Sequence, residues 1–532
     1  MVDILIIGSG GAGLSSALSS KQAGASVLVV GKSYPTNSQT SMAQGGINAS
    51  LSNIGEDSIE SHIADTIKSA HGLCDEQSVR DLCTNAPETI AWLESIGVPF
   101  SRLPESHQGI DSISQRRLGG ASASRACYAQ DYTGLKILHT LYDKCLKEGI
   151  EFRDNYYLLN LIVEDGVAGG AIFLDIYSGE VVQIDAKSVI IATGGYASIY
   201  HGYTTNAFGS TGDGIACVLR AGGGVSDMEF IQFHPTALKN SAILVSESAR
   251  GEGGLLVNSN GERFVDELKP RDEVARAIFE QINSGRDVFL DIRALGEERL
   301  QELLPQEVAL CKLHENIDPA KELIPIKPVA HYTMGGIAVD YTLEVNGING
   351  CFGVGECANA KIHGANRLGG NSLLEIVSLG RLAGENAYKY AIYASNKVSS
   401  SNQLQKDREY IQSIYDNTPS KSFYKSREEL GEIFYSSVGI IRDNDSLHNA
   451  LKSVVDMQVD LSQMGIEDKN REDNSNLVEF LEFSSSLLLA PTIISSAIAR
   501  DESRGAHYKE GFEREDDINF KKHIVINWRD EV

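Results

Sequence analysis

The first 31 residues constrain the fold most, because they read as a strand, a glycine-rich turn, a helix and a second strand. Asp3–Ile7 and Ala25–Val30 are apolar runs that predict the strands, and a helix of small and apolar residues extends to about Ala23. The turn between strand and helix has the spacing G-x-G-x-x-G, which permits a tight turn and close approach of the backbone to a pyrophosphate. The helix N-terminus also favours phosphate charge. The chain is therefore predicted to bind a dinucleotide through Gly8, Gly10, Gly11 and Gly13.

The residue that follows the second strand decides which dinucleotide is expected. Nicotinamide-binding folds place an Asp or Glu there for the ribose, but Val30 is followed by Gly31 and Lys32. FAD held by other contacts is therefore the predicted cofactor. Thr193 and Gly194 follow a later apolar strand, Ala186–Ala192. Glu356 ends another, Ile348–Glu356, and is the candidate for the missing ribose contact.

Charge and cysteine usage exclude several classes of protein. The formal net charge of −25 repels nucleic acid and anionic membrane surfaces, so an anionic substrate would need a local positive site. The eight cysteines form no C-x-x-C pair, which indicates neither an iron–sulfur cluster nor a zinc site. No signal peptide and no run of about 18 apolar residues is evident. A cytoplasmic chain without a membrane span of its own is expected, which reaches a membrane only through a partner.

Several further motifs occur in one order along essentially the whole chain. They are Gln39-Thr-Ser-Met-Ala-Gln-Gly-Gly46, Thr204-Thr-Asn206, Gly212-Asp-Gly214, Phe233-His-Pro-Thr236, Arg250-Gly-Glu-Gly-Gly254, Arg271-Asp-Glu-Val-Ala-Arg276, His331-Tyr-Thr-Met-Gly-Gly336, His363–Leu373 and Glu502-Ser-Arg-Gly-Ala-His507. This set resembles the flavoprotein subunits of succinate dehydrogenase and fumarate reductase, and L-aspartate oxidase, which belong to one family of FAD-dependent oxidoreductases.

The resemblance implies an α/β fold with a Rossmann-type FAD-binding domain, an inserted α+β capping domain, a helical domain and a C-terminal segment. A length of 532 residues agrees with several domains, since single cores stop growing at about 250–300 residues. The expected boundaries are 1–230 and 344–394 for the FAD-binding domain, 231–343 for the capping domain, 395–500 for the helical domain and 501–532 for the C-terminal segment. Periodicity predicts helices over Glu76–Ile96 and Ser378–Ala394, and a mixed pattern of short strands and helices extends from Phe230 to about Gly336. Ser395–Gln405, rich in Ser and Asn, is the candidate linker.

The resemblance also implies site residues. The expected cofactor contacts, besides the glycines of the first turn, are Lys32, Gln39, Thr40, Gln44, Gly45, Gly46, Thr193, Gly194, Asp213, Glu356, Ser372 and Leu373. The expected substrate contacts are Arg367, His331, His234, Thr236 and Ser246, because two carboxylates need cationic or hydroxyl partners at both ends. By resemblance, hydride moves through the flavin N5, Arg271 transfers the proton, and Glu247 and Arg250 form its relay.

Gln39 departs from the usual pattern of the dehydrogenase and quinone-coupled reductase subunits. Those subunits attach FAD covalently through a His seven residues before the second glycine of the Gly-Gly pair, and here that position is Gln39. An amide cannot form the bond, so noncovalent FAD is expected. In the family, losing this bond disfavours succinate oxidation, which favours fumarate reduction as the physiological direction. L-aspartate oxidase also binds FAD noncovalently, so Gln39 does not exclude it.

Leu118 bears on the substrate. Aspartate carries an ammonium group, and aspartate oxidases place a Glu directly before the Gly-Gly pair that is Gly119-Gly120 here. Leu118 cannot pair an ammonium, and removing a buried charge partner costs about 3–5 kcal/mol. A small dicarboxylate of the succinate/fumarate kind is therefore the predicted substrate. The alternatives are L-aspartate oxidation and a flavin-bearing electron-transfer subunit without dicarboxylate chemistry.

The absence of cluster cysteines has a consequence for electron transfer. Electrons must enter or leave the flavin, and the resemblance implies that a separate iron–sulfur subunit carries them. The helical domain and the tail through Trp528 are the candidate docking surfaces. A soluble reductase with a different donor is the alternative.

Overall fold

The computed structural model describes residues 1–104, 109–394 and 402–527. The helices of these residues are α1 (Gly11–Ala23), α2 (Ile59–Ser69), α3 (Glu76–Ile96), α4 (Thr133–Lys147), α5 (Asp213–Arg220), α6 (Glu247–Gly251), α7 (Arg271–Asn283), α8 (Gly296–Leu303), α9 (Pro305–Glu315), α10 (Asn371–Ala391), α11 (Gln403–Asp416), α12 (Phe423–Ser437), α13 (Asn444–Asp460) and α14 (Ser475–Ala499). The strands are β1 (Val2–Ile7), β2 (Val27–Val30), β3 (Ile47–Asn48), β4 (Gln115–Arg116), β5 (Ala126–Cys127), β6 (Glu151–Arg153), β7 (Tyr156–Glu164), β8 (Val167–Asp175), β9 (Val181–Ile191), β10 (Gly224–Ser226), β11 (Ile231–Leu238), β12 (Leu255–Asn258), β13 (Val288–Asp291), β14 (Ile324–Thr333), β15 (Gly336–Ala338), β16 (Cys351–Gly353), β17 (Ala358–Asn359) and β18 (Val525–Asn527).

A seven-stranded sheet forms the centre of the dinucleotide-binding half. Its parallel part has the order β6-β2-β1-β9, and β16 pairs in parallel with the last strand. The first half of β9 pairs antiparallel with β8, which pairs with β7. The parallel strands β1, β2 and β16 and the second half of β9 are largely buried, which explains their nearly continuous apolar sequences, whereas β6 at the edge of the sheet is mostly exposed. Their carboxyl ends meet at one edge of the sheet, where this arrangement generally places a ligand.

Helix α1 starts at that edge and packs along α10. Both helices approach closely because small residues face each other. A Cβ atom added to Gly384 would lie 2.4 Å from the carbonyl oxygen of Ser16, and one added to Gly380 would lie 2.8 Å from that of Ala12. The contact fixes the first glycine turn relative to the N-terminus of α10.

Residues 231–333 form a second sheet with its own core. This antiparallel sheet has the order β11-β14-β13-β12, and α7, α8 and α9 lie within the same stretch of chain. Leu256, Ile278, Leu290 and Leu304 belong to a hydrophobic cluster that is separate from the main core. The mixed strand and helix pattern predicted from about Phe230 to Gly336 is thus observed. Short sheets β3-β5-β4 and β17-β15-β10-β18 complete the strand pairing of the described residues.

The C-terminal part consists of α11 to α14, followed by a polar segment whose strand β18 pairs with β10. Helix α14 is long and apolar enough to cross a membrane by length and composition alone, with a mean hydropathy of 1.5 in its best window. Its apolar sequence is interrupted by Glu479, Glu482 and several serines, so it is not a continuous run of about 18 apolar residues. In the structure 78% of that window is buried against the rest of the protein, as in a core helix.

Several element boundaries differ from the sequence prediction. Helix α10 begins at Asn371 and not at Ser378, because its first turn follows directly on the Gly/Asn-rich segment and has no side-chain cap. The strand predicted at Ile348–Glu356 is only β16, since Gly355 has a positive φ of 73° and starts a short 3-10 turn. Most of the predicted linker, residues 395–401, and Trp528 of the tail lie outside the described residues.

Candidate functional site

A cavity of about 440 Å³ extends from the first glycine turn to the second sheet. The predicted cofactor residues that line it are Gly8, Gly10, Gly11, Lys32, Gln39, Thr40, Gln44, Gly45, Gly46, Thr193, Gly194, Asp213, Glu356, Ser372 and Leu373. The predicted substrate and proton-transfer residues that line it are His234, Ser246, Glu247, Arg271, His331 and Arg367. One continuous cavity therefore joins residues that lie far apart in the sequence.

The glycine turn is packed too closely against neighbouring backbone for side chains at two of its positions. A Cβ on Gly8, whose φ is 112°, would lie 2.2 Å from the carbonyl oxygen of Ala192, and one on Gly13 would lie 1.9 Å from that of Gly8. Gly13 does not line the cavity, so its role is close packing of helix on strand. The N-terminus of α1 follows this turn and carries the partial positive charge that favours phosphate.

Unpaired polar atoms along the cavity also fit a bound dinucleotide. Ser38 Oγ, Gln44 Oε1 and Thr193 Oγ1 are buried and have no hydrogen-bond partner among the residues that the structure describes, and all three residues line the cavity. Leaving a buried polar atom unpaired costs about 1–3 kcal/mol. A cofactor with hydroxyl, phosphate and ring-carbonyl groups could satisfy them.

Lys32 is held by acidic groups from two distant parts of the chain. Its Nζ lies 2.6 Å from Asp213 Oδ2 and 2.7 Å from Glu482 Oε1, which comes from α14. Burial alone would lower the pKa of Lys32, but Asp213 and Glu482 outweigh it and raise that pKa. The Asp213 carboxylate is also paired with Tyr157 and Thr211. Glu482 was not predicted from the sequence, because nothing local marks a residue 450 positions from its partner.

Gln39 and Glu356 both contact backbone amides. The amide N–H of Ala207 donates to Gln39 Oε1 at 3.0 Å, and that of Thr333 donates to Glu356 Oε1 at 3.1 Å. Burial raises the pKa of Glu356 to about 7. Its second oxygen, Oε2, makes no protein hydrogen bond in the described part of the chain, which leaves it for a ribose hydroxyl.

Two guanidinium groups converge at the far end of the cavity. Arg271, at the first position of α7, donates from Nη1 to Gln232 Oε1 at 2.9 Å, and Arg367 donates from Nη2 to the same oxygen at 3.2 Å. Arg367 also stacks on Tyr332, with its guanidinium carbon 4.2 Å from the ring centroid. Burial and the charge of Arg271 lower the pKa of Arg367 to about 10, so an anion placed between them would be strongly favoured.

Glu247 pairs with Arg271 from the other side. Its Oε2 accepts from Arg271 Nη2 at 2.7 Å and from Nε at 3.1 Å, and Oε1 lies 3.3 Å from Arg250 Nη2. Burial acts to raise the pKa of Glu247, but Arg271 and Arg250 outweigh it and hold that pKa at about 2. Three guanidinium groups and one carboxylate leave this end of the cavity with an excess of positive charge.

Glycine pairs provide the room for Glu247. A Cβ on Gly119 would lie 2.4 Å from Glu247 Oε1, and one on Gly369 would lie 2.4 Å from Oε2. Leu118 is buried, faces the same space and lines the cavity. The apolar side chain predicted to face the substrate is therefore next to the Arg271–Glu247 pair.

His234 and His331 form a neutral pair. Their ring centroids are 4.9 Å apart, His331 Nδ1 is 2.7 Å from Thr205 Oγ1, and His234 Nδ1 contacts Thr236. Burial lowers the pKa of both rings well below the usual value, and nearby positive charge, including Arg271, adds to it. Each ring keeps Nε2 for a ligand, so the pair can donate hydrogen bonds without adding charge.

Besides Gly13, two predicted site residues do not reach the cavity. The hydroxyl of Thr236 donates to the carbonyl of Val245 at 2.7 Å, so it is not free for a substrate. Arg250 lies behind Glu247 and contacts the cavity only through it. Conversely, Gln232 and Tyr332 were missed, since a buried amide or phenol in a strand carries no sequence signal.

Comparison with known proteins agrees with this geometry. The profile of the FAD binding domain family matches residues 3–373, and that of the fumarate reductase flavoprotein C-terminal domain matches residues 427–532. The chain is 37% identical to the fumarate reductase flavoprotein subunit of Escherichia coli strain K12, over 98% of this chain and 91% of that protein.

Two further relatives have about the same identity to the chain. One is the 8-methylmenaquinol:fumarate reductase flavoprotein subunit of Wolinella succinogenes, with 37% identity over 98% of this chain and 88% of that protein. The other is the succinate dehydrogenase flavoprotein subunit of Rickettsia bellii, with 36% identity over 98% and 92%. A solved structure of Escherichia coli quinol fumarate reductase superposes with a TM-score of 0.92 at 36% identity, covering 99% of this chain and 94% of that one.

Proposed function

Because the chain belongs to the family of FAD-dependent fumarate reductase and succinate dehydrogenase flavoprotein subunits, we propose that it interconverts fumarate and succinate. The observation that carries the proposal is the convergence of Arg271 and Arg367 on Gln232, next to Glu247, at one end of the FAD cavity. A dianion would offset the excess positive charge of this site, and bidentate guanidinium contacts suit carboxylates.

Arg367, His331, His234 and Ser246 bind the two carboxylates of the substrate. Drawing electron density into one carboxylate makes the double bond of fumarate electrophilic at the far carbon. Bound FAD supplies the hydride to fumarate or accepts it from succinate. Because the two His rings are neutral, they can donate hydrogen bonds to the substrate without adding positive charge. Added positive charge would bind the dianion more tightly and slow its release.

Arg271 provides the proton for the other carbon in reduction and accepts it in oxidation. A guanidinium is a weak acid, so this role requires a partner that restores the proton at once. The bidentate contact of Arg271 with Glu247, at 2.7 and 3.1 Å, supports Glu247 as that partner. Glu247 is ionised at rest, so it acts as a relay: it takes up a proton from the side of Arg250, which lies 3.3 Å from its Oε1, passes the proton to Arg271 and returns to its ionised form.

FAD is bound noncovalently, since Gln39 stands where a covalent attachment would need a histidine. The contact of Gln39 Oε1 with the Ala207 amide supports a packing role for this side chain at the cavity. By the resemblance to the family, noncovalent FAD favours fumarate reduction as the physiological direction.

Electrons are exchanged with a separate iron–sulfur subunit, which connects the chain to a membrane or soluble carrier on the cytoplasmic side. In residues 1–104, 109–394 and 402–527, no group of three His, Cys, Asp or Glu side chains is arranged to hold a metal ion. The relatives are themselves named as flavoprotein subunits. Purification of the chain at native expression tests this point, because a partner with iron and acid-labile sulfide should co-purify.

A dye-linked assay of the purified chain tests the substrate. Reduced viologen should be oxidised on adding fumarate, and an oxidised dye should be reduced on adding succinate, while aspartate should give neither reaction. Reduction of the dye by aspartate would assign aspartate oxidation instead, which Leu118 argues against. If no dicarboxylate gives a reaction, the chain would instead be a flavin-bearing electron-transfer subunit.

A further inference from the structure

Glu307 is a fully buried carboxylic acid outside the cavity, in the first turn of α9. Its Oε1 accepts a hydrogen bond from the backbone N–H of Ser246 at 2.7 Å. Ser246 caps α6, whose first residue is Glu247. Glu307 therefore holds the backbone that carries one proposed substrate contact and the proposed proton relay.

Asp131 holds α9 from the dinucleotide-binding half of the chain. Its Oδ2 accepts from the backbone N–H of Gln306 at 2.8 Å and from that of Glu307 at 3.0 Å. A carboxylate at a helix N-terminus is stabilised by the helix dipole. Asp131 and Glu307 thus link the loop before α4, the N-terminus of α9 and the start of α6 in series.

The pKa values of the two acids differ, so that near neutral pH Asp131 is charged and Glu307 is neutral. Burial raises the pKa of Glu307 to about 8, the Ser246 amide opposes this and Asp131 adds to it. Burial raises the pKa of Asp131 to about 6, with backbone amides and Arg116 opposing. Cys311 also faces Glu307 from within α9 and stays a neutral thiol, because burial raises its pKa.

We propose that Glu307 is a positioning residue for Ser246 and Glu247, that it does so in its neutral form, and that its ionisation beside Asp131 weakens dicarboxylate binding. Charging Glu307 puts a second buried negative charge close to the carboxylate that anchors α9. The repulsion displaces α9 from Asp131, and the bond to Ser246 transmits the displacement to α6. The part of the proposal that concerns dicarboxylate binding rests on the proposed function.

The test compares Glu307→Gln with the wild-type chain between pH 6 and pH 9.5. As pH rises past about 8, the dissociation constant of the wild type for fumarate, read from the flavin spectrum, should rise. Its kcat/KM for fumarate should fall over the same range. Glu307→Gln keeps the shape and the neutral charge, so it should keep the wild-type values at pH 6.5 and lose at least half of the alkaline decline. The same decline in Glu307→Gln would overturn the proposal.

Two further variants separate positioning from general destabilisation. Asp131→Asn removes the negative charge that would repel ionised Glu307, so the alkaline decline should shrink in this variant as it does in Glu307→Gln. Glu298→Gln, an exposed position in α8, makes the same chemical change as Glu307→Gln and should leave the wild-type profile. An unchanged profile in Asp131→Asn would contradict the link between the two acids.

Thermal unfolding gives a readout that does not depend on the substrate. The folded chain retains a proton on Glu307 that the unfolded chain loses above pH about 4.5, so this group makes stability fall as pH rises from about 4.5 to about 8. The Tm of Glu307→Gln should therefore rise relative to wild type more at pH 9 than at pH 5. If fumarate does not bind at any pH, the proposed function fails while the Tm comparison still tests Glu307; equal Tm differences at both pH values would refute its ionisation.

Discussion

At the scale of single residues, the site depends on how charges are compensated. Arg271, Arg367 and Arg250 are buried with one carboxylate, Glu247, between them. The resemblance identified all four from the sequence, because each lies in a recognisable motif. It did not identify Gln232, which joins the two cavity-lining arginines through one oxygen. That contact depends on three-dimensional convergence, which no local pattern encodes.

Replacing Arg271 tests the proposed proton transfer. Arg271→Lys keeps a positive charge but loses the two-point contact with Glu247, so fumarate turnover should fall by about 10²–10⁴-fold, the usual contribution of a positioned proton donor. Steady-state fumarate reduction with reduced viologen measures the loss of turnover. Fumarate binding, read from the flavin spectrum, shows whether the variant also binds the substrate more weakly.

Arg276→Lys is the matched control for that variant. Arg276 lies in the same helix, pairs with Asp272 and the carbonyl of Gly505, and does not line the cavity. Turnover close to the wild-type rate is expected. An equal loss in both variants would indicate disruption of α7 and not loss of a proton donor.

The chemistry of Gln39 makes a simple prediction about cofactor release. Denaturing the holoprotein with acid should leave all flavin in the supernatant, because an amide nitrogen forms no stable bond to the ring. Fluorescence of the supernatant and of the washed pellet measures the partition. Flavin that stays with the pellet would contradict noncovalent binding.

At the scale of elements, the sequence predicted helix bounds best where nearby capping residues mark both ends of a periodic segment. Helix α3 was predicted at its observed bounds, since Asp75 caps its N-terminus and Gly97 ends it with a φ of 109°. Boundaries failed at glycine-rich segments, as at the start of α10, because the same glycines permit a turn or a helix start. Strand β9 was predicted too short, since its first half pairs antiparallel and carries polar residues.

The close packing of α1 on α10 predicts that adding a single methyl group at Gly384 destabilises the protein. Gly384→Ala places a Cβ 2.4 Å from the carbonyl oxygen of Ser16, so the helices must separate, at a cost of about 1–3 kcal/mol. Urea unfolding and FAD retention on a desalting column should both show the loss. Glu385→Ala, at the adjacent exposed position, is the control and should change stability by less than about 0.5 kcal/mol; a stable Gly384→Ala would refute the close-packing argument.

At the scale of the whole molecule, the cofactor cavity unites parts of the chain that no sequence window contains. Lys32 after β2, Asp213 at the start of α5 and Glu482 in α14 meet at one ammonium group. The C-terminal helices are thereby anchored to the dinucleotide-binding half. The order of the motifs indicated one fold for the full length, but the partners across 450 residues could be found only from the structure.

Removing the ammonium group tests this anchor. Lys32→Met leaves Asp213 and Glu482 as neighbouring carboxylates without their cation, and breaking a buried pair costs about 3–5 kcal/mol. The lower end, about 3 kcal/mol, is expected because the Lys32 side chain is 26% exposed. Urea unfolding at saturating FAD measures it. Lys187→Met breaks the pair with Asp3, whose carboxylate is 27% exposed, compared with 8% for Asp213. It should cost at most about 1 kcal/mol, and equal losses in the two variants would contradict the anchoring role.

The central claim, that this chain reduces fumarate at the Arg271 site, is tested most directly in a single turnover. The purified holoprotein is reduced anaerobically by light with a chemical donor, which is then removed, and fumarate is added while the flavin absorbance is followed. The account predicts rapid return of the oxidised flavin spectrum with one succinate formed per flavin, and a return slowed by about 10²-fold or more in Arg271→Lys. Flavin that stays reduced in the presence of excess fumarate would contradict the account.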